Sequence, residues 1–176
     1  MSAAREFAVT PPDMRVPGLL FAFVLLTCLV ALAFGWRELQ GSPALWLAIA
    51  VCLGTPALIV VALFRRKVTF DGEALRIVAG LNQTRVPASA LLANEARIVD
   101  LDTSKNDRLG IKSFGTSMPG YHAGHFKQIG GHRVFALVTD KHRVLVLPEQ
   151  NGRRLMLSLQ KPQALLDALK RPALTK

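Results

Sequence analysis

The stretch VPGLLFAFVLLTCLVALAFGW occupies residues 16–36 and carries no charged side chain. After one Arg-Glu pair the chain is again uncharged from residue 39 to residue 64. Each run exceeds the roughly 20 apolar residues with which an α-helix crosses a hydrocarbon core of about 30 Å. Helices that are apolar on every face need an apolar solvent, and a chain of 176 residues would seldom bury two of them. The sequence therefore predicts transmembrane helices at residues 16–36 and 43–64, joined by a short external loop at residues 37–42.

A cleavable signal peptide is the alternative interpretation of the first run. Ala31-Leu32-Ala33 has the small residues of a cleavage motif. The apolar stretch is nevertheless longer than the usual core of a signal peptide, and a second apolar run follows at once. The preceding segment also carries Glu6 and Asp13 beside its two arginines. We therefore expect the first run to remain in the protein as part of a membrane anchor.

Basic residues near the ends of the two runs predict the orientation of the anchor. The connecting loop carries only Arg37, whereas the outer flanks carry five basic residues. These are Arg5, Arg15, Arg65, Arg66 and Lys67. The positive-inside rule then predicts a multi-pass membrane protein with both termini in the cytoplasm and an N-terminal tail at residues 1–15. Neither run contains an acidic or basic residue, so we expect an anchor and not an ion pathway.

The positive charge of the chain lies entirely outside this anchor. Residues 65–176 hold nineteen Lys and Arg and nine Asp and Glu, which accounts for the whole net charge of +10. Such an excess indicates an anionic partner, and the lipid bilayer is the nearest one. Arg65, Arg66 and Lys67 are expected to contact anionic headgroups, at about 1 kcal/mol per basic residue. The alternative that these three residues only set the topology stays open. No nucleic-acid-binding motif is present, so nucleic acid is not expected as a partner.

From Lys67 onward the hydrophobic pattern changes to that of β-strands. Two strand-like segments, residues 67–70 and 74–78, flank Asp71-Gly72, which is a hairpin turn signal. Residues 102–123 are rich in Gly, Ser, Thr and Asp, and they predict a long irregular stretch. Residues 126–159 alternate between strand and turn patterns, which predicts an antiparallel meander.

The last predicted element is an amphipathic helix at residues 162–171. Pro162 stands at its first position, and Pro172 follows its end. Several short antiparallel strands and one helix predict a mainly β domain at residues 67–171, in which the helix plugs an open end of a small barrel or sandwich. Residues 172–176 are expected to form a short tail.

The run GTSMPGYHAGHF at residues 115–126 resembles a conserved segment of bacterial pleckstrin-homology-like (PH-like) domains, Gly-x-Pro-Gly-Tyr-x-x-Gly-x-Phe. The chain departs from this segment at its start, where Ser117-Met118-Pro119 replaces Gly-x-Pro. The resemblance extends over about residues 68–170, and an N-terminal pair of spans is common in such proteins. It implies a seven-stranded PH-like barrel closed by a C-terminal helix. Together with the predicted spans it implies a protein of the bacterial inner membrane, and it implies no established activity.

The candidate ligand-binding region is the long stretch at about residues 105–126, because long loops in compact domains tend to be functional. Its candidate residues are Arg108, Lys112, Pro119, Gly120, Tyr121, His122, His125 and Phe126. A phosphoinositide pocket of the eukaryotic PH type is not expected. Such pockets depend on basic residues around a long first hairpin loop, whereas the turn at residues 70–73 is short and acidic.

Neither a metal site nor a catalytic site is expected from the residue pattern. The four histidines, His122, His125, His132 and His142, lie within 21 positions. Their spacing is not that of zinc ligands, and neither cysteine nor a close carboxylate completes a set. The serines lie in no nucleophile elbow, and no glycine-rich phosphate loop is present. We therefore predict a protein without catalytic residues, metal or other cofactor.

These observations favour a membrane-anchored, cytoplasm-facing PH-like module that binds a protein segment or anionic lipid headgroups. One alternative is an accessory or scaffold subunit whose helical hairpin packs against a larger membrane protein. Another is a membrane-bound hydrolase that uses the histidine-containing loop. The sequence leaves the ligand, the protein partner and the oligomeric state open.

Overall fold

A computed structural model of the chain describes residues 4–13, 15–39, 41–104, 107, 109–128 and 130–170. These residues divide into two compact units. One unit is helical and lies within residues 14–64. The other is rich in β-structure and combines residues up to Asp13 with those from Arg65 onward.

The helical unit consists of α1 (Arg15–Leu39) and α2 (Pro43–Phe64). α1 extends three residues into the predicted loop at residues 37–42. The two helices pack together, and the Cys52 thiol lies 3.9 Å from the carbonyl oxygen of Cys28. Within the described residues, one helix is long and apolar enough to cross a membrane, over Pro43–Val61 of α2. The apolar part of α1, Phe21–Trp36, is shorter.

The first sheet of the β-rich unit has four strands in the order β1-β2-β3-β4. These are β1 (Arg5–Phe7), β2 (Arg66–Phe70), β3 (Ala74–Ala79) and β4 (Asn82–Pro87), and all neighbours are antiparallel. The predicted hairpin at Asp71-Gly72 is confirmed, because Phe70 of β2 pairs with Leu75 of β3. Val68, Leu75 and Ile77 are fully buried, so alternate residues of this hairpin enter the core.

The second sheet has six strands in the order β5-β9-β10-β8-β7-β6. They are β5 (Arg97–Val99), β6 (Ile111–Met118), β7 (Tyr121–Lys127), β8 (Arg133–Val138), β9 (Val144–Pro148) and β10 (Arg154–Ser158). The predicted meander over residues 126–159 is wrong, because β10 lies between β8 and β9 and runs parallel to β8. Residues 155–158 are all buried, so both faces of β10 are covered, as expected for a central strand.

The predicted irregular stretch at residues 102–123 is also wrong over much of its length. Strands β6 and β7 form a regular antiparallel hairpin that turns at Pro119-Gly120. Two glycines that look like loop residues in the sequence allow these strands to approach closely. A Cβ atom on Gly124 would lie 2.5 Å from the carbonyl oxygen of Phe114 and 2.7 Å from the Cα of Gly115. Gly115 and Gly124 also have positive φ angles, +146° and +121°, which other residues rarely adopt.

The described strands form two open sheets and not the closed barrel that was predicted. Residues 4–13 are part of the β-rich unit and not a tail ahead of the first helix. β1 pairs with β2, and the following residues pair with the chain just beyond β10. The amide of Thr10 donates to the carbonyl of Ser158, and the amide of Gln160 donates to the carbonyl of Ala8, each at 3.0 Å. The N-terminal segment therefore joins the two sheets.

The chain ends in α3 (Pro162–Lys170), which starts at the predicted residue. Leu165 and Leu166 of α3 are buried, whereas Arg171 and the predicted tail lie outside the described residues.

One face of the second sheet carries an apolar cluster that includes Phe126, Val134 and Met156. Leu101 belongs to this cluster and Leu109 packs against it, so the segment after β5 covers this face. Burial of Leu101 and packing of Leu109 stabilise the position of this segment beside β7, by about 25 cal/mol per Å² of apolar surface removed from water.

Candidate binding surfaces

The residues predicted to bind a ligand are distributed over the β6–β7 hairpin and do not form one site. Lys112 is exposed on β6, and Pro119 and Gly120 form the turn. Tyr121 and Phe126 are buried, the latter in the cluster on the second sheet. His125 lies edge-on to the buried Phe135, with ring centroids 5.0 Å apart. Arg108 lies outside the described residues. One member of the predicted set, His122, lines a cavity.

His122 lies in a cleft of about 310 Å³ between β7 and two loops. Leu101 and Leu109 supply its apolar wall, and Asp102 and Lys141 supply opposite charges. The Lys141 ammonium lies 3.7 Å from the Asp102 carboxylate. Burial and the nearby Lys141 charge lower the pKa of His122, so its imidazole is neutral at pH 7. The cleft thus offers one neutral imidazole and one ion pair to a small polar ligand.

A second polar group adjoins this cleft at the β8–β9 turn. His142 Nδ1 lies 3.1 Å from a carboxylate oxygen of Asp100. This contact raises the pKa of His142 and, with the amide of Asp102, lowers the pKa of Asp100. Asp100, Asp102 and His142 are close enough to surround one cation. Their groups are already engaged in ion pairs with one another and with Lys141, and the group is largely exposed. Among the described residues, the four histidines do not gather into one site.

Ser117 and His122 are the pair that the hydrolase alternative requires. The Ser117 hydroxyl lies 2.8 Å from His122 Nδ1, directly across the hairpin. A catalytic histidine is normally oriented by a carboxylate, which would raise its pKa. Burial and Lys141 have the opposite effect on His122. Ser158 is buried and donates to the carbonyl of Asp140, so its role is structural.

The basic cluster at residues 65–67 is less uniform than its sequence indicates. Arg65 is exposed. Arg66 is half-buried, and its Nη1 has no hydrogen-bond partner among the described residues. Burial lowers the pKa of Arg66, and burial also raises the pKa of the nearby Tyr121 to about 12. Lys67 Nζ lies 2.9 Å from a carboxylate oxygen of Glu6, an ion pair between β2 and β1 that the sequence analysis did not foresee. The net positive charge here is therefore that of two arginines.

The outer edge of β6 is a surface that sequence reasoning missed. Ile111 is 80% exposed and Phe114 is 70% exposed, although both are large apolar residues. The available sequence signal was their position in a 32-residue segment without acidic residues, between Asp107 and Asp140. Both residues lie within residues 102–123, which the sequence predicts to be irregular, so they did not indicate a sheet edge.

Comparison with known proteins gives one positive result. A family model described as "Bacterial PH domain" matches residues 66–173, which is more than half of the chain. The resemblance inferred from residues 115–126 is confirmed by this match. No curated protein and no solved structure matches the chain.

Proposed function

Since the chain belongs to the bacterial PH domain family, we propose that it is a non-catalytic binding module anchored in the bacterial inner membrane. In this proposal α1 and α2 both cross the membrane, and the β-rich unit faces the cytoplasm. The family assignment favours binding over catalysis.

The pairing of residues 4–13 with the β-rich unit is the observation that carries the proposed anchor. These residues precede α1, whereas their partners in β2 and at residues 158–160 follow α2. A crossing by α2 alone would separate the paired segments by a membrane. Two crossings keep them on one side. The uncharged part of α1, residues 16–36, extends about 31 Å at 1.5 Å per residue, which matches a core of about 30 Å.

The distribution of basic residues supports the cytoplasmic orientation. Arg5, Arg15, Arg65, Arg66 and Lys67 flank the outer ends of the two helices. Only Arg37 lies between the apolar runs, so the positive-inside rule assigns the β-rich unit to the cytoplasm.

Cysteine labelling tests the topology with the full chain. In a background with Cys28→Ala and Cys52→Ala, Ser42→Cys reports on the helix connection and Gln163→Cys reports on α3. We expect a membrane-impermeant maleimide to label Ser42→Cys in intact spheroplasts, and Gln163→Cys only after lysis. Labelling of Gln163→Cys in intact spheroplasts, or recovery of the chain in the soluble fraction, would contradict the proposed anchor.

Lipid contact is proposed for Arg65 and Arg66 only, because Glu6 already neutralises Lys67. Two basic residues near an anionic surface contribute about 2 kcal/mol, at about 1 kcal/mol each. The test compares Arg65→Gln with Lys161→Gln, an exposed position at the start of α3. The measurement is the preference of the reconstituted protein for anionic lipids in its boundary layer. An equal preference in both variants would assign Arg65 to topology alone.

A further inference from the structure

Strand β6 is the longest exposed sheet edge in the described part of the chain. It has eight residues and forms the end of the second sheet, where it pairs only with β7. The opposite end of that sheet is β5, which has three residues. An edge strand presents amide and carbonyl groups without strand partners, and another extended chain can pair with them.

Two apolar side chains line β6 on one face of the sheet. Ile111 lies opposite Lys127, and Phe114 lies opposite His125, two residues away on β7. A bulge at Ser113 brings Ile111 and Phe114 onto the same face, although they are three positions apart. Because both are largely exposed, they form an apolar pair beside the open edge.

Exposed positive charges lie on and beside this edge. Ile111, Lys127 and Arg133 form a row across β6, β7 and β8, and all three are exposed. Lys127 and Arg133 are directly opposite each other, an arrangement that destabilises a sheet. Neither has a carboxylate partner among the described residues. Lys112 adds a further exposed positive charge on β6 itself.

We infer that β6 binds an extended acidic segment of another protein as an added antiparallel or parallel strand. The backbone edge recognises the polypeptide, Ile111 and Phe114 contact its apolar residues on one face, and Lys112 pairs with its carboxylates on the other. A second copy of this chain fits less well, because it would bring the same basic edge against itself. A bilayer has no strand to add to the sheet. This inference rests on the proposed binding role but not on the membrane topology.

The test uses the full chain in nanodiscs of neutral lipid and two capped heptapeptides as probes. One peptide alternates valine with glutamate, and the other alternates valine with lysine. We expect the glutamate peptide to bind and to slow amide hydrogen exchange within residues 111–118, whereas the lysine peptide does neither. Absence of binding by the glutamate peptide, or binding without protection of residues 111–118, would overturn the inference.

Charge reversal distinguishes binding of the glutamate peptide at the β6 edge from its general attraction to a basic protein. Lys112→Glu should weaken binding of the glutamate peptide at least about tenfold, since it replaces an attraction by a repulsion. Lys161→Glu makes the same change of charge at an exposed site just before α3 and should leave binding nearly unchanged. Equal losses in both variants would overturn the inference. Unchanged hydrogen exchange in β8 and β10 verifies that each variant is folded.

Two further outcomes assign the edge to other occupants and also contradict the inference. Protection of residues 111–118 without peptide that rises with protein concentration would indicate a second copy. Protection by anionic nanodiscs but not by the glutamate peptide would indicate the membrane surface. The labelling experiment on Ser42→Cys and Gln163→Cys reads topology alone, so failure of the anchor and failure of the edge site are distinguishable.

Discussion

The β2–β3 and β6–β7 hairpins have the same topology but are held together differently. In the first, Val68, Leu75 and Ile77 are fully buried and anchor both strands in the core. In the second, β6 has no buried residue, and its contact with β7 depends on the close approach of Gly115 and Gly124. The first hairpin is therefore stabilised by buried side chains, and the second mainly by backbone pairing.

Substitution of Gly124 should give the largest effect and break the second hairpin. Gly124→Ala places a Cβ atom 2.5 Å from the carbonyl oxygen of Phe114, at a φ of +121°. Overpacking and backbone strain together should lower the free energy of unfolding by about 4 kcal/mol. Chemical denaturation of the full chain in detergent measures this change.

The matched control is Gly152→Ala, where φ is also positive but no atom lies within 4 Å of the added Cβ. It should lose only about 1 kcal/mol, because strain acts there without a clash. Equal losses for the two variants would show that the glycine pair is not what brings β6 and β7 together.

Truncation of apolar side chains should give the next largest loss of stability, and the loss should differ between the two hairpins. Leu75→Ala removes a fully buried side chain from β3 and should cost about 3 kcal/mol. Phe114→Ala removes a larger but exposed side chain from β6 and should change stability by less than about 0.5 kcal/mol. Denaturation curves of both variants provide the measurement. A large loss for Phe114→Ala would mean that β6 is held by its side chains after all.

The turn of the first hairpin should show a smaller effect that depends on pH. The Asp71 carboxylate accepts hydrogen bonds from the amides of Ala74 and Glu73, at 2.6 and 3.0 Å, which lower its pKa. Its contribution is therefore present above the ordinary aspartate pKa of about 4 and is lost as pH falls through the lowered value. Asp71→Ala should lower the Tm at pH 7 by less than Leu75→Ala does, and its difference from the unsubstituted protein should vanish in acid. Glu73→Ala is the control.

The smallest expected effect is a shift in the pKa values of two histidines. This shift tests whether β7 is a strand in a covered sheet or part of a solvated loop. His122 should titrate below its ordinary pKa of about 6.5, because burial and Lys141 disfavour its charged form. His142 should titrate above that value, because Asp100 stabilises its charged form. The imidazole proton resonances report both midpoints in NMR spectra, and His122→Gln assigns the first. Coincident midpoints near 6.5 would contradict the described environment of His122.

The two hairpins also show which parts of the fold were predictable from sequence. The β2–β3 hairpin was predictable because its buried side alternates with polar residues around Asp71-Gly72. The β6–β7 hairpin was not, because an exposed edge strand requires no alternation and its glycines resemble loop residues. The position of β10 between β8 and β9 was also missed, since alternation predicts a strand but not its neighbours.

The candidate sites were predictable to a smaller extent. His122 was among the predicted residues, but the cleft around it needs Leu101, Asp102 and Lys141 from other segments. The partner of Lys67 is Glu6, which lies on the far side of both helices in the sequence. Such pairings follow from the order of strands in space, and a single sequence contains little information about that order.

The bridge between Val9 and Leu159 has a consequence for the order of events during synthesis. Residues 8–10 leave the ribosome about 150 residues before their partners at residues 158–160. At roughly 5–20 residues per second, this delay is about 8–30 s. The β-rich unit therefore completes its folding late in translation, after the segment that forms both helices has been made. Residues 5–7 can pair with β2 before that point, but residues 8–10 gain their partners only at the end.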